Sequence, residues 1–334
     1  MNLAHGGNLF EICRERGWDW RQVLDLSASI NPLGPAPGVW DAIRGALDRV
    51  VHYPEKYVPV LAAALAERWG VGVEQVLVGN GATELIHFVA RAWPHEEVSL
   101  IAPVFSEYHR AWPQASLFGF GRALGSGLVV LAQPNNPTGE AVAFETLRDW
   151  LLGSERPALV DESFIEFANM PSAVTLAARR PNLLVLRSMT KFYALPGLRI
   201  GAMVGHPDLI ARLRALREPW QVSVLAEAAA LAALADTGHA ERSVQLISRE
   251  RIWFWKQLWK LPGVRPVHSS ANFFLVHLDH LASDLCSFFL DSKAILRDCT
   301  GWPGVEGQAV RFAIRTREEN ERTLALFKEF LCTN

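Results

Sequence analysis

The chain carries no excess of charge of either sign, few cysteines and no long apolar run. Its formal net charge is −2 over 334 residues, and no cluster of basic residues stands out. That balance gives no reason to expect nucleic acid as a partner. Four cysteines, Cys13, Cys286, Cys299 and Cys332, are scattered without metal-ligand spacing. They read as free thiols in a reducing, cytoplasmic setting, and no metal is expected. The opening residues, MNLAHGGNLFEICRERGW, hold no apolar segment of the kind a signal peptide needs. The run 222–235 is rich in Ala and Leu, but Glu227 interrupts it and it is too short to cross a bilayer. It reads as a buried helix, so no membrane partner is expected. Hydrophobic residues, by contrast, make up half the chain, enough for one large domain or two unequal ones. Tryptophan is also plentiful, and Trp253, Trp255 and Trp259 share a helical stretch with Phe254, which assigns them to core or interface.

Residues 1–30 read as an arm with a flexible polar start at His5–Asn8 and a short strand over 23–30. Turn chemistry follows at 31–35. Pro37 opens a helix with Val39, Ile43 and Leu47 on one face, and a second amphipathic helix covers 58–69. Beyond residue 95, short apolar runs at 98–102, 128–132, 158–160, 183–186 and 200–204 alternate with helical stretches such as 147–152. That alternation predicts an α/β fold, a sheet with helices on both faces, and ligands at its strand ends. From 206 to 261 the pattern is helical. The strands 271–278 and 310–314 and the helices 281–290 and 318–331 predict a smaller α+β unit.

Chemistry-bearing residues gather at the predicted strand ends. The segment RSMTKFYALPGLRIG, 187–201, places Lys191 after a strand, with Ser188 three residues before it and Arg199 eight after. A lysine so placed can form a carbon–nitrogen double bond with an aldehyde cofactor while its neighbours hold a phosphate. Pyridoxal phosphate requires that arrangement plus a carboxylate for its ring nitrogen; a plain surface lysine also fits a loop. The glycine turn at 79–84, GNGATE, precedes an apolar helix over 85–93 whose bare N–H groups can receive a phosphate, although an ordinary turn with Thr83 as N-cap fits as well. Asp161, directly after a buried strand, suits a protonated ring nitrogen or a helix cap. Asn136, in the loop QPNNPTG, can donate to a ring oxygen, and Phe105 can stack on a ring or fill a core.

The order of these elements resembles the fold-type I, aspartate-aminotransferase-like family of pyridoxal phosphate enzymes. The likeness runs from DLSASINPLGP through VLVGNGATELI, QPNNPTG, VDESFIEF and RSMTKFYALPGLRIG to VRFAIRTREEN. Within the family the chain is most similar to the branch holding histidinol-phosphate aminotransferase and threonine-phosphate decarboxylase. The segments HGGN, TKFYALPGLR and ILRDCTGWPG favour the decarboxylase side.

The resemblance implies a large mixed or parallel-sheet cofactor domain at 31–234, a small C-terminal domain at 235–334, and the 1–30 arm associated with the latter. It implies that Lys191 bonds pyridoxal 5'-phosphate, Asp161 binds the ring nitrogen, Asn136 the ring oxygen, and Phe105 stacks. Gly81, Ala82, Thr83, Ser188 and Arg199 would bind the cofactor phosphate. Tyr53 would reach it from a neighbouring subunit, which implies a homodimer with composite sites. Arg311 and Arg297 suit a phosphorylated amino-acid substrate, with Arg315, Asn31 and His5 as further candidates. Surface ion pairing with Glu318 and Glu319 is the competing reading for these arginines.

Aminotransferases of this branch usually carry Tyr at the position of Phe164, a donor to the ring oxygen that Phe cannot replace. The implied activity is therefore decarboxylation of L-threonine O-3-phosphate to (R)-1-aminopropan-2-yl phosphate, a cobalamin linker. The alternatives are a histidinol-phosphate aminotransferase using 2-oxoglutarate and a cofactor-binding protein without turnover.

Overall fold

The computed structural model describes residues 6–95, 97–122 and 127–333. His5 therefore lies outside the described residues. A seven-stranded sheet runs in the order Val76–Gly79, Gly201–Gly205, Leu183–Ser188, Ala158–Asp161, Leu128–Ala132, Val98–Ile101, Ser116–Phe118. The pairings are parallel except those of Gly201–Gly205, which is antiparallel to both neighbours. The central runs are apolar on both faces because helices cover both. Leu128, Val130, Leu159 and Leu184 pack with Leu85 and Val89 of the helix Ala82–Ala92. The intervening Val129, Leu131, Val160 and Val185 pack with Leu147 and Leu151 of the helix Phe144–Leu152. The strand period of two thus sorts one apolar run between two helical layers.

A second, antiparallel sheet has the order Arg297–Asp298, Gln308–Ala313, Phe273–Leu278, Val264–Pro266. Its core is aromatic: Phe254 of the 22-residue helix Thr237–Leu258 meets Phe274 and Phe312, with centroids 6.0 and 5.5 Å away. Leu24–Asp25 of the arm pairs in parallel with Ala294–Ile295. The stretch expected to be a buried helix is one, Val224–Ala235, with Ser223 Oγ accepting from Ala226 N at 3.2 Å. Glu227 within it is buried and faces Arg49 at 3.5 Å. Trp253 and Trp255 pack against the core, whereas Trp259 is exposed. Among the described residues no helix is long and apolar enough to cross a membrane, no metal-ligand cluster forms, and the four cysteines are free.

Several local expectations change. The polar start leads into a helix, Leu9–Arg16, closed by Gly17 in the left-handed region (φ 67°). The strand expected over 23–30 stops after Asp25 because Asp25 Oδ1 accepts from Ser27 N at 2.9 Å and Ser27 Oγ at 2.7 Å, a turn that competes with the ladder. The helix from Pro37 ends at Gly45, so half-exposed Leu47 starts a 3₁₀ turn instead of extending the apolar face. The edge strand Ser116–Phe118 has only three residues and is largely exposed, which leaves little periodic signal to find it by.

Candidate active site

The register of the large sheet gathers the chemistry at one edge. Ala132 lies opposite Asp161, and Asp161 opposite Leu186, in parallel strands. The loops that follow these strands therefore open side by side. Ser188 and Gly79 both lie opposite Gly201, which brings the glycine turn to the same edge. A cavity of about 520 Å³ opens there, within the range of ordinary ligand sites.

At one end of the cavity the helix Ala82–Ala92 starts without a side-chain cap. Its N-cap is Gly81, and Thr83 sits inside the first turn. Gly81 has φ +89°, and a Cβ there would stand 2.6 Å from Arg199 Nη2. Any side chain would thus displace the guanidinium. Ser188 Oγ and Thr190 Oγ1 lie 2.8 Å apart beside it. Bare helix N–H groups, two hydroxyls and an arginine form a donor set that suits a phosphate.

In the middle, Asp161 is buried with two donors. Ser163 N donates to Oδ1 at 2.8 Å, and the phenol of Tyr108 donates to Oδ2. Burial raises the Asp161 pKa, and the donors from Ser163 and Tyr108 work against that rise. Tyr108 is fully buried, and burial followed by the Asp161 charge pushes its phenol well above its ordinary value, so the proton stays on Tyr108. Phe105 lines the cavity edge-on to Tyr108, with centroids 5.9 Å apart. Replacing Tyr108 with Phe removes one donor from a buried carboxylate. Urea denaturation is expected to show a loss of about 1–3 kcal/mol.

Lys191 sits across from these groups. Burial first, then Arg311 and Arg199, lower its pKa from 10.5 to about 8, against a smaller pull from Asp25. Arg311 is held in place: Nη1 donates to Asn136 Oδ1 at 2.5 Å and Nη2 to Ser27 O at 2.9 Å, with the guanidinium 5.1 Å over the Phe273 ring. The Asn136 oxygen is thereby occupied, and its amide nitrogen is left to donate. Phe164 lines the cavity and packs edge-on against Phe273 at 5.0 Å.

Arg297 also lines the cavity and is buried, yet among the described residues no carboxylate stands within ion-pair distance. Burial and the neighbouring Arg311 push it down to about 10.

The cavity thus brings together Lys191, Asp161, Asn136, Phe105, Ala82, Thr83, Ser188, Arg199, Arg297 and Arg311, with Gly81 beside them. Asn31 and Arg315 do not line this cavity. The Asn31 amide donates to Phe192 O at 2.9 Å and Ser243 Oγ at 2.7 Å, bonds that tie the turn after the arm to the Lys191 loop and to the helix Thr237–Leu258. Arg315 turns to Glu319 at 2.8 Å, as the ion-pair reading allowed. Tyr53 is 83% exposed and rests on Trp220, outside this cavity. Sequence reasoning missed Tyr108, Asp25, Ser27 and Trp302, which line the cavity or contact its residues. Only Tyr108, one helical turn after Phe105, carried a local signal.

The residues fit pyridoxal phosphate: a cavity-lining lysine, a buried carboxylate, an amide donor and a glycine-lined phosphate cradle. The chain matches the family "aminotransferase class I and II" over residues 21–117 and 121–327. It is 33% identical to a threonine-phosphate decarboxylase of Salmonella typhimurium, covering 99% of this chain and 97% of that one. It is 30% identical to a histidinol-phosphate aminotransferase of Methanothermobacter thermautotrophicus, covering 98% and 94%. The crystal structure of an L-threonine-O-3-phosphate decarboxylase from Porphyromonas gingivalis superposes with a TM-score of 0.87 at 25% identity, covering 92% of this chain and 99% of that one. On this fold, this donor set and these matches, the chain belongs to the aminotransferase class I and II family, with the aspartate-aminotransferase-like fold and pyridoxal 5'-phosphate as its cofactor.

Proposed function

We propose that the protein is a carboxy-lyase that converts L-threonine O-3-phosphate to (R)-1-aminopropan-2-yl phosphate and carbon dioxide, supplying the aminopropanol linker of cobalamin. The observation that carries this reading is the pair Arg297 and Arg311. They are Cα partners across antiparallel strands and line the same cavity as Lys191. Like charges placed directly opposite destabilise a sheet. A ligand of at least two negative charges relieves them, and a phosphorylated amino acid brings phosphate and carboxylate together.

When bound, the cofactor supplies an electron sink that weakens whichever Cα bond stands perpendicular to its ring. The residues decide which bond that is. Arg297 and Arg311 would hold the anions of the substrate and so select the carboxylate bond as the one that breaks. Asp161 keeps a negative charge at the ring nitrogen, steadied by Tyr108 and Ser163 N. The Asn136 amide would donate to the ring oxygen, while Phe164 offers no second donor to it. The apolar walls from Phe105 and Phe164 exclude water from the reacting carbon. Lys191 Nζ then delivers a proton to Cα after carbon dioxide departs.

The cofactor phosphate would rest on Gly81, Ala82, Thr83, Ser188 and Arg199. Exposed Tyr53 suits a homodimer in which it reaches the cradle of the other copy. The division into a cofactor unit at 31–234 and a small unit at 235–334 joined by the arm is part of the same proposal, supported by the pairing of Leu24 with Ala294. A cytoplasmic setting suits the free thiols.

The second reading is a histidinol-phosphate aminotransferase, since the arginine pair also suits that phosphate. Product analysis separates them. The cofactor-loaded protein is incubated with L-threonine O-3-phosphate, and carbon dioxide and the phosphorylated amine are followed. Release of both is expected. Amino transfer from histidinol phosphate to 2-oxoglutarate without such release overturns the decarboxylase. Silence in both assays, with cofactor bound, points to a binding protein without turnover.

A further inference from the structure

Arg297 raises a physical question of its own. It is buried, lies opposite another buried arginine, and has no hydrogen-bond acceptor or carboxylate partner among the described residues. Arg311, by contrast, is tied to Asn136 and Ser27. Left to itself, a guanidinium so placed swings away from the like charge and toward water. What stands beside it is Trp302, whose ring centroid is 5.0 Å from the Arg297 guanidinium carbon.

Trp302 is held from two sides. Its indole belongs to a small buried cluster with Leu275, Cys299 and Val305. The backbone turn is closed by Trp302 N donating to Cys299 O at 3.1 Å and Val305 N to Trp302 O at 2.8 Å. The same turn docks on the segment that leads to Phe105. Val104 N donates to Pro303 O at 3.3 Å, and a Cβ on Gly304, at φ +85°, would come within 2.9 Å of Pro103 Cα. The turn therefore cannot retreat without disturbing the wall that carries Phe105.

We infer that Trp302 is a positioning residue: its ring face holds the Arg297 guanidinium in the cavity with its N–H donors unspent, and so sets the affinity for a phosphate-bearing ligand. An aromatic face suits this task better than a carboxylate. It holds the cation without occupying its donors, whereas a carboxylate would both occupy them and cancel the charge that the ligand needs. The inference rests on the proposed phosphorylated substrate, and the test keeps the two apart by using inorganic phosphate as well.

Trp302→Leu and Trp302→Phe are compared with the parent protein, all loaded with cofactor. Dissociation constants are measured by calorimetry for inorganic phosphate and through the cofactor absorption for L-threonine O-3-phosphate and L-threonine. Thermal midpoint and cofactor occupancy report the fold. Trp302→Leu is expected to weaken both phosphate-bearing ligands by about ten-fold and to leave L-threonine within about two-fold. Trp302→Phe, which keeps an aromatic face, is expected to recover most of the loss. In turnover the loss falls on KM and not on kcat. Equal weakening of all three ligands overturns the inference, because a mere filler of the core would act that way. So does unchanged phosphate affinity in Trp302→Leu, or a Phe variant no better than Leu. A parent protein that binds inorganic phosphate but decarboxylates nothing refutes the proposed substrate, and the phosphate affinities of the variants still decide the role of Trp302.

Discussion

Replacing Lys191 with alanine is expected to abolish the proposed decarboxylation, with a loss of at least about 10⁴-fold in kcat, while the protein still folds and still binds the cofactor phosphate. In the proposed function the amine serves two ends, bonding the cofactor and returning a proton to Cα, and among the described residues no other lysine lines the cavity. Its pKa makes a second, independent expectation. Lys191 is partly exposed, and it lines the cavity, so cavity water softens the effect of burial. Even so, burial together with Arg311 and Arg199 brings the amine down to about 8. The neutral amine is the nucleophile, so the rate at which cofactor-free protein takes up pyridoxal phosphate rises with pH through about 8 and levels above it. An ordinary lysine would keep the rate climbing past 10.

The lowered pKa of Lys191 also ties stability to pH. The folded-state pKa lies below the unfolded one, so between about 8 and 10.5 the unfolded chain binds more protons. Cofactor-free protein therefore gains stability as pH rises through that window, and Lys191→Ala removes the gain. Uptake rates and urea midpoints across pH check both statements. A midpoint of uptake near 10 would mean that the two arginines and the burial do not act on the amine.

Asp161→Asn is expected to lower kcat on the order of a thousand-fold with little change in fold. Asn keeps the volume and can still meet Ser163 N, but it cannot carry the negative charge that a protonated ring nitrogen needs. The carboxylate is costly where it stands. Burial raises its pKa, and only the Ser163 and Tyr108 donors oppose that rise in the protein alone. A cation placed against it supplies what is missing, which is why the cofactor's affinity should fall along with kcat. The measurement is kcat and cofactor dissociation for the variant against the parent protein. A change under ten-fold in kcat would show that the ring nitrogen does not depend on this charge.

How legible these residues were depends on how local their causes are. Lys191, Asp161 and Asn136 each follow a short apolar run, and a parallel strand buried on both faces leaves few other places for polar groups than its end. The shared edge then follows from parallel register, as the pairing of Ala132 with Asp161 shows. Gly81 was legible because glycine before an apolar helix points to a bare N-terminus, though the sequence could not show Arg199 standing where a Cβ would be. For Asn31 and Arg315, residue type and position do not show where the side chain goes. Asn31 meets Ser243, more than two hundred residues away, and Arg315 meets Glu319 in the first turn of the helix that follows it.

What the sequence by itself determined is the alternation that builds the large sheet, the residues at its strand ends and the order that places the chain in its family. These depend on hydrophobic period and on neighbours a few residues apart. Only the tertiary structure decided that Tyr108 donates to Asp161, that Arg311 is tied to Asn136 and Ser27, and that Arg297 rests on Trp302. It also decided the protonation of Lys191, since two of the charges on that amine come from Arg311 and Asp25, far along the chain. The reason is physical: desolvation and Coulomb energy depend on distance through space, and side-chain identity reports neither until the sheets have brought the groups together.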